Sequence, residues 1–273
     1  MAKVVLLPIP SGPYSFTRVG PFRGTQPRTS GTNPISFNVS TDAPPNENYG
    51  EGDTLIAVIG IYCQGGGAFV QAISHSGNPR SQWVRDVSYP FPFSGGTFAD
   101  VEIWHASNVV KQDTISIALQ PYQYAGSTSV TLMGAVADIC GYNLLLGPFN
   151  GGNILDRTSQ NTCGITPPTN ADDTLTGKVS TSKPGMELWV GGITHLGNDQ
   201  QTKSTVPGVT NGFNLLDGTP MFGEMSVAYL DKVNVDYNGW SGPFPVASSG
   251  VHVSPNWYVG CIATYSPLST YLP

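Results

Sequence analysis

One pattern occurs twice in this chain and constrains its fold more than any other feature. Residues 52–62 (GDTLIAVIGIY) and residues 185–195 (GMELWVGGITH) each lead from a polar turn into a short, nearly continuous apolar run. Runs of this length, with Ile and Val inside and Gly nearby, are typical of strands buried on both faces. The sequence therefore predicts a buried strand at each of the two places.

Three further segments follow each run in the same order. The matched pairs are 83–87 with 213–217, 101–105 with 225–229, and 135–139 with 261–265. Partners are separated by 133 residues for Leu55 and Leu188, and by 124 for Ile103 and Val227. This nearly constant separation predicts a duplicated β unit, with repeats at about 50–141 and 185–266.

The composition favours an all-β fold. The 273 residues include 33 Gly and 23 Pro, whereas charged residues make up 11%, against about 25% in an average globular protein. Such a chain is poor in helix formers and rich in turn formers. Hydrophobic residues make up 39%, which is enough for a core, so we expect an ordered protein of one large or two smaller all-β domains.

Charge is unevenly distributed along the chain. All four charged residues that precede Asp42 are basic, namely Lys3, Arg18, Arg23 and Arg28. Residues 1–34 are also rich in proline, which favours extended segments without ladder hydrogen bonds. We therefore expect an extended N-terminal arm at 1–34, with the four basic side chains as candidates for docking on an acidic partner. A solvated terminus with scattered arginines is the alternative.

The cysteines and the chain start bear on the setting of the protein. Cys63, Cys140, Cys163 and Cys261 show no metal-ligand spacing, and three of them lie in or beside apolar runs, so buried free thiols are expected. No signal peptide or membrane span is expected. A Gly-, Ser- and Thr-rich surface without export is typical of virion proteins, which assemble in the host cytoplasm and leave it on lysis.

Aromatic loops are the candidate contact sites. Tyr89, Phe91 and Phe93 alternate with prolines, and Trp240 lies in a second aromatic turn. A rigid aromatic face binds sugars or proteins at a small entropy cost. The alternative is that these residues close one end of a sandwich. The longest segment expected to be irregular is 140–184, with one short strand near 174–180.

No residue cluster predicts a reaction. The segment 239–243 (GWSGP) lacks the final Gly and the α/β context of a nucleophile elbow. A glycosidase needs two carboxylates at a fixed separation, and Glu102, Glu187 and Glu224 are expected instead on outward-facing strand positions. The histidines lack metal-ligand spacing, and the acidic body opposes nucleic-acid binding. We expect no enzyme activity, catalytic residue, metal or cofactor.

The order of these blocks resembles a duplicated, jelly-roll-like β-sandwich module of bacteriophage virion proteins. The residues that carry the resemblance are Gly52-Asp53-Thr54-Leu55, Trp83, Trp104-His105-Ala106 with Asn108-Val109, Ala137-Asp138-Ile139-Cys140-Gly141, and the closing segment Trp257 to Tyr265. The resemblance covers residues from about 50 to 266. The segment Asp138-Ile139-Cys140-Gly141 departs from the module's usual acidic-aromatic-Ser-Gly signature, and the arm is extra. The resemblance implies a fold and a virion setting but no catalytic residue.

Together these features predict an antiparallel jelly-roll-like sandwich at 35–273 that follows the arm. The expected function is that of a bacteriophage capsid decoration or cement protein, a homo-oligomer that contacts the major capsid protein or other virion proteins. Neither nucleic acid nor membrane is an expected partner. The alternative is a fibre-type or lectin-like module that binds host glycans through its aromatic residues, which are Tyr89, Phe91, Phe93, Tyr122, Tyr124 and Trp240.

Overall fold

The computed structural model describes sixteen segments of the chain. They are residues 15–27, 35–40, 54–64, 66–75, 83–93, 97–106, 114–122, 129–140, 155–162, 174–180, 187–196, 214–215, 225–234, 246–247, 250–251 and 257–265. Cys163 and Trp240 lie outside them. No helix long and apolar enough to cross a membrane occurs within these segments.

The described residues form eighteen β-strands. The first nine are β1 (Ser15–Pro27), β2 (Ile35–Ser40), β3 (Thr54–Gln64), β4 (Gly67–His75), β5 (Trp83–Ser88), β6 (Phe91–Pro92), β7 (Thr97–Ala106), β8 (Thr114–Tyr122) and β9 (Ser129–Cys140). The others are β10 (Leu155–Thr162), β11 (Thr174–Leu175), β12 (Val179–Ser180), β13 (Glu187–Leu196), β14 (Asn214–Leu215), β15 (Met225–Asn234), β16 (Val246–Ala247), β17 (Gly250–Val251) and β18 (Trp257–Tyr265).

Three sheets contain most of these strands. The central sheet has the order β1-β9-β3-β7-β5, with β6 paired to β7. The second sheet has the order β10-β18-β13-β15-β14, and the small sheet has the order β2-β8-β4. Two short ladders join β11 to β17 and β12 to β16. Every described ladder is antiparallel, which confirms the predicted all-β antiparallel class. The jelly-roll topology and the duplication stay predictions.

The central sheet lies between the other two because β3 and β7 carry buried apolar side chains on both of their faces. Alternate residues of β3 pack with Ile117 and Leu119 of the small sheet, and they include Ala57, Ile59, Ile61 and Cys63. Successive strand residues point to opposite faces, so Ile56 and Val58 face the second sheet, and both are fully buried. The predicted strand with two buried faces is confirmed at β3.

A bulge in β5 changes which of its residues face the second sheet. The register with β7 pairs Val84 with His105 and Arg85 with Trp104, then skips Asp86 and pairs Val87 with Ile103. A bulge adds one residue to a strand and redirects side chains locally. Val87 therefore shares the face of Ile103 and is buried, and Asp86 is placed beside His105.

Two segments differ from their sequence-based description. Within the segment expected to be irregular, β10 is an eight-residue strand that pairs with β18 along the edge of the second sheet. Its sequence (LDRTSQNT) has no apolar alternation, because an edge strand with partly exposed side chains does not need one. Within the predicted arm, residues 15–27 form β1, which pairs with β9 along its length at the edge of the central sheet. The division into an arm and a body remains a prediction.

Gly192 of β13 lies at a close approach between the second and central sheets. A Cβ atom there would lie 2.7 Å from Val58 Cγ1 and 3.0 Å from Val101 Cγ2. We expect Gly192→Ala to force the two sheets apart and to lower the free energy of unfolding by about 1–3 kcal/mol. Chemical denaturation measures this change.

The matched control is the double variant Gly192→Ala/Val58→Ala, which removes one of the two contacting methyl-bearing side chains. It should be less destabilised than the sum of the single variants, by about 0.5–3 kcal/mol. Additive effects would show that the contact between Gly192 and Val58 does not limit the approach of the sheets.

Candidate functional site

Strand β7 carries polar side chains on both of its buried faces. Asp100, Glu102 and Trp104 alternate on the face toward the small sheet, and His105 lies on the face toward the second sheet. Asp100 and Glu102 are fully buried, and His105 is 8% exposed. A buried ionisable group is stable only when it is paired, hydrogen-bonded or neutral. The partners of these residues therefore define the candidate site.

The Glu102 carboxylate contacts three groups, which lie on β4, β5 and β7. Its Oε1 accepts a hydrogen bond from the Val70 amide of β4 at 2.8 Å. Its Oε2 accepts one from Trp104 Nε1 at 2.7 Å. Arg85 of β5 places its guanidinium 3.9 Å from the same oxygen and 5.8 Å from the centre of the Trp104 ring. Glu102 thus joins the small sheet to the central sheet.

Asp100 holds the segment that connects β5 to β6. The Tyr89 amide donates to Asp100 Oδ1 at 3.0 Å and to the Val101 carbonyl at 3.0 Å. Asp100 Oδ2, in contrast, is a buried atom that has no hydrogen-bond donor among the described residues. We call Asp100 and Glu102 the acid pair.

Burial dominates the electrostatics of the acid pair. Burial and, after it, the neighbouring carboxyl group of Glu102 raise the pKa of Asp100 well above its usual value, although the Val101 and Tyr89 amides oppose this. Burial also raises the pKa of Glu102, while the Val70 amide, the Trp104 indole, the Arg85 charge and Asp100 lower it. Desolvation penalises the charged form of a carboxyl group, so two adjacent negative charges are strongly disfavoured here.

A second polar cluster joins the central sheet to the second sheet. His105 Nδ1 lies 2.8 Å from both carboxylate oxygens of Asp86, and the Tyr265 hydroxyl of β18 donates to Asp86 Oδ2 at 2.5 Å. The His105 and Tyr265 rings meet edge to face, with centroids 5.9 Å apart. The bulge in β5 makes this cluster possible, because it places Asp86 between β7 and β18.

Two further polar contacts join the second sheet to β7 of the central sheet. Thr194 Oγ1 of β13 donates to the Asp100 carbonyl at 3.1 Å, and the Cys261 thiol of β18 lies 3.8 Å from the Val101 carbonyl. Burial, followed by the charges of Asp100 and Glu102, raises the pKa of the Cys261 thiol well above its usual value. Cys63 and Cys261 are buried free thiols, which confirms the prediction for these two. The side chain of Cys140 and all of Cys163 lie outside the described part.

The acid pair is suited to holding strands together rather than to binding a substrate. Glu102, considered above as a glycosidase carboxylate on an outward-facing position, is instead fully buried and bound by Val70 and Trp104. That expectation of an outward position was wrong, because the small sheet covers this face of β7. Within the described segments, no three His, Cys, Asp or Glu side chains come together as a metal site.

The structure describes some of the contact residues that were expected from the sequence. Arg18 and Arg23 lie on the edge strand β1 at register positions opposite Ala137 and Met133. Lys3, Arg28 and Trp240 lie outside the described segments.

The three aromatic residues of 89–93 form a row. The Phe91 ring lies 6.2 Å from that of Tyr89 and 4.8 Å from that of Phe93. Phe93 is buried, whereas Tyr89 and Phe91 are half-buried between the exposed Pro90 and Pro92. Only the first two of these rings are therefore accessible to a partner.

Sequence reasoning found the strand of the acid pair but missed the pair itself. From the sequence, Glu102 was placed on an outward-facing strand position, with only one face of this strand buried. The signal for two buried faces was present in the partner strand β3, whose apolar run is continuous. A polar residue on a strand beside such a run has a buried environment on either face, and this would have identified Glu102.

Comparisons with known proteins give one distant likeness. No protein-family model matches the chain, and no curated protein matches it. A solved chain from Cucumber Leaf Spot Virus is similar over 100% of this chain and 99% of its own length, with 9% identical residues and a TM-score of 0.21. No argument about function rests on a likeness of this size.

The Tyr265 hydroxyl should contribute measurably to stability. We expect Tyr265→Phe to lower the free energy of unfolding by about 1–3 kcal/mol, because Asp86 loses a donor in a buried position. Equilibrium denaturation of Tyr265→Phe, Asp86→Asn and the double variant forms a thermodynamic cycle. A coupling of about 0.5–3 kcal/mol between the two changes is expected. A coupling of zero would contradict the contact.

Proposed function

We propose that this protein is a virion structural component, and most specifically a bacteriophage capsid decoration or cement protein. The observation that carries the proposal is the placement of basic residues on a sheet edge of an otherwise acidic chain. Arg18 and Arg23 lie on β1, whereas the chain as a whole has a net charge of −6. Opposite charges on two surfaces steer their association and set its register.

The layered body supports the same function. Three described sheets are stacked, and their contacts include the fully buried acid pair and the Asp86–His105–Tyr265 cluster. Such contacts hold the described sheets to one another and favour a rigid body. A protein that reinforces a shell needs this rigidity, because it transmits load between its own contact surfaces. We propose a structural role rather than an enzymatic one, with other virion proteins and further copies of the chain as partners.

We further propose that the central and second sheets arose by duplication. Strands β9-β3-β7-β5 of the first occur in the order β18-β13-β15-β14 in the second. Leu55 lies opposite Ala106 and Asp138, and Leu188 lies opposite Val233 and Tyr265. A superposition of Leu55 on Leu188 should therefore bring Asp138 onto Tyr265. Failure of the remaining strands to superpose would contradict duplication.

Neutralising the basic residues tests the decoration role. We expect Lys3→Gln/Arg18→Gln/Arg23→Gln/Arg28→Gln to reduce co-sedimentation with undecorated shells of the parent phage by tenfold or more at low salt, because the charge attraction is lost. This variant keeps β1 in place, which a deletion of residues 1–34 would not.

The matched control neutralises two exposed basic residues elsewhere, Arg157→Gln/Lys178→Gln. It should bind shells as the wild type does. Equal binding by both variants would exclude docking through the basic residues. Absence of binding by the wild type would contradict the decoration role itself.

Glycan binding by a fibre-type module is the second candidate, and the exposed edge of residues 89–93 favours it. Tyr89 and Phe91 are half-buried beside exposed prolines, which leaves ring surface for a sugar to stack on. On an array of host-surface glycans, binding should fall at least tenfold in Phe91→Leu. The control Val84→Ala changes another exposed apolar residue, which is 48% accessible. Wild-type protein that binds no glycan would remove this candidate.

A further inference from the structure

The two carboxyl groups of the acid pair differ in the donors that reach them. Both oxygens of Glu102 accept hydrogen bonds, from the Val70 amide and from Trp104 Nε1. Oδ1 of Asp100 accepts a hydrogen bond from the Tyr89 amide, and the Val101 amide also favours the charged form of this carboxyl group. Its Oδ2 is completely buried and faces no donor in the described part of the chain. This asymmetry is a property of the geometry alone.

A proton on Asp100 Oδ2 resolves this asymmetry. A protonated carboxyl group carries one O–H donor and keeps its acceptor oxygen, so Oδ1 still accepts from Tyr89. Asp100 and Glu102 are next-but-one residues of β7, so their buried side chains lie side by side on one face of the strand. A protonated Oδ2 can then donate to Glu102. A proton on Glu102 would instead lie beside oxygens that already accept donors.

We propose that Asp100 holds a proton in the folded protein and donates it in a hydrogen bond to ionised Glu102, and that this bond acts as a pH-sensitive lock between layers. The lock joins the Val70 amide of β4 and the Tyr89 amide of residues 89–93 to the central strand β7. When Asp100 loses its proton to solvent, two adjacent carboxylates remain in a buried site, and these attachments loosen. The proposal does not rest on the virion function.

Among the described residues, no buried cation lies near the acid pair to replace the proton. Arg85 of β5 is the described cation near Glu102, but its side chain is 43% exposed and 3.9 Å away, so water screens it. Strand β3 places Ile59 opposite Glu102 and Ile61 opposite Asp100. Strand β4 contributes a backbone amide, and β18 contributes the Cys261 thiol from the other face of β7.

The direction of the pH effect follows from the position of the proton. The pKa of Asp100 is raised in the folded state above its usual value of 3.8, so the folded protein retains a proton that the unfolded chain releases. The stability that Asp100 contributes is therefore fully present below this usual value, and it is lost as the pH rises through the raised pKa. Release of one proton on unfolding raises the unfolding equilibrium constant by up to about tenfold per pH unit.

Asp100→Asn and Glu102→Gln are matched variants that distinguish the two carboxyl groups. The amide of D100N can donate to Glu102 from Nδ2 and accept from Tyr89 at Oδ1 without a bound proton. The amide nitrogen of E102Q would face the Val70 amide or the Trp104 indole, both of which are donors. In D100N, the free energy of unfolding should therefore lose the part of its pH dependence that comes from one proton. E102Q should instead be destabilised at every pH.

Unfolding equilibria between pH 4 and 9 for the three proteins, with amide hydrogen exchange, provide the test. After correction for intrinsic rates, exchange at Val70 and Tyr89 should accelerate with pH in the wild type and stay constant in D100N. Amides of β15, which pairs with β13 and β14 in the second sheet and has no described contact with the acid pair, serve as the control. A D100N variant that keeps the wild-type pH slope would overturn the proposal, as would an E102Q variant that alone loses it.

Infrared spectroscopy of the wild type keeps the test independent of whether the variants fold. The carbonyl stretch of a protonated carboxylic acid lies outside the amide bands and shifts on 13C labelling of aspartate. We expect such a band at neutral pH, and its loss as the pH rises should coincide with the acceleration of exchange at Val70 and Tyr89. Its absence at neutral pH would show that Asp100 is ionised and would refute the lock.

Discussion

Burial of both faces of the central sheet is the constraint from which the other features of this structure follow. Strands β3 and β7 have the small sheet on one side and the second sheet on the other. A buried polar side chain on either strand must therefore be satisfied by the protein itself. The acid pair and the Asp86–His105–Tyr265 cluster each satisfy buried polar side chains in this way, one on each face of β7. Each of the two also attaches a neighbouring layer to the central sheet.

The two clusters satisfy their carboxyl groups in different ways. Asp86 receives the Tyr265 hydroxyl and a ring nitrogen of His105, so its charge is met by groups from two sheets. Both oxygens of Glu102 accept hydrogen bonds, from an amide and an indole, and Arg85 lies nearby. Asp100 accepts an amide hydrogen bond on Oδ1, whereas its Oδ2 has no donor in the described part of the chain. The missing donor at Asp100 Oδ2 is what makes a bound proton the simplest way to complete the network. A buried acid pair of this kind links the stability of the layers to pH, whereas an apolar core would not.

The proposed duplication adds a comparison within the chain. With Leu55 matched to Leu188, the strand registers make Val227 the counterpart of Asp100 and Tyr229 the counterpart of Glu102. These counterparts are three residues away from the sequence-based match of Ile103 with Val227. The acid pair thus belongs to the first unit alone. If the units are related by descent, only the central sheet, which is covered on both faces, acquired or retained the acid pair. A proton-dependent contact in this sheet can affect two layers.

The sequence by itself determined the strand-forming class, the principal buried strands and the burial of Cys63 and Cys261, because apolar runs, glycines and turn residues act locally and are visible in the order of residues. It also located Tyr89, Phe91 and Phe93, but not which of the three would be buried. The tertiary structure alone decided that β10 forms an edge, that Asp86 lies beside His105 and Tyr265, and that Glu102 faces a covering sheet. Those outcomes depend on strand order, on one bulge and on the stacking of layers. Such contacts join residues as far apart as 86 and 265, and no local pattern along the chain encodes them.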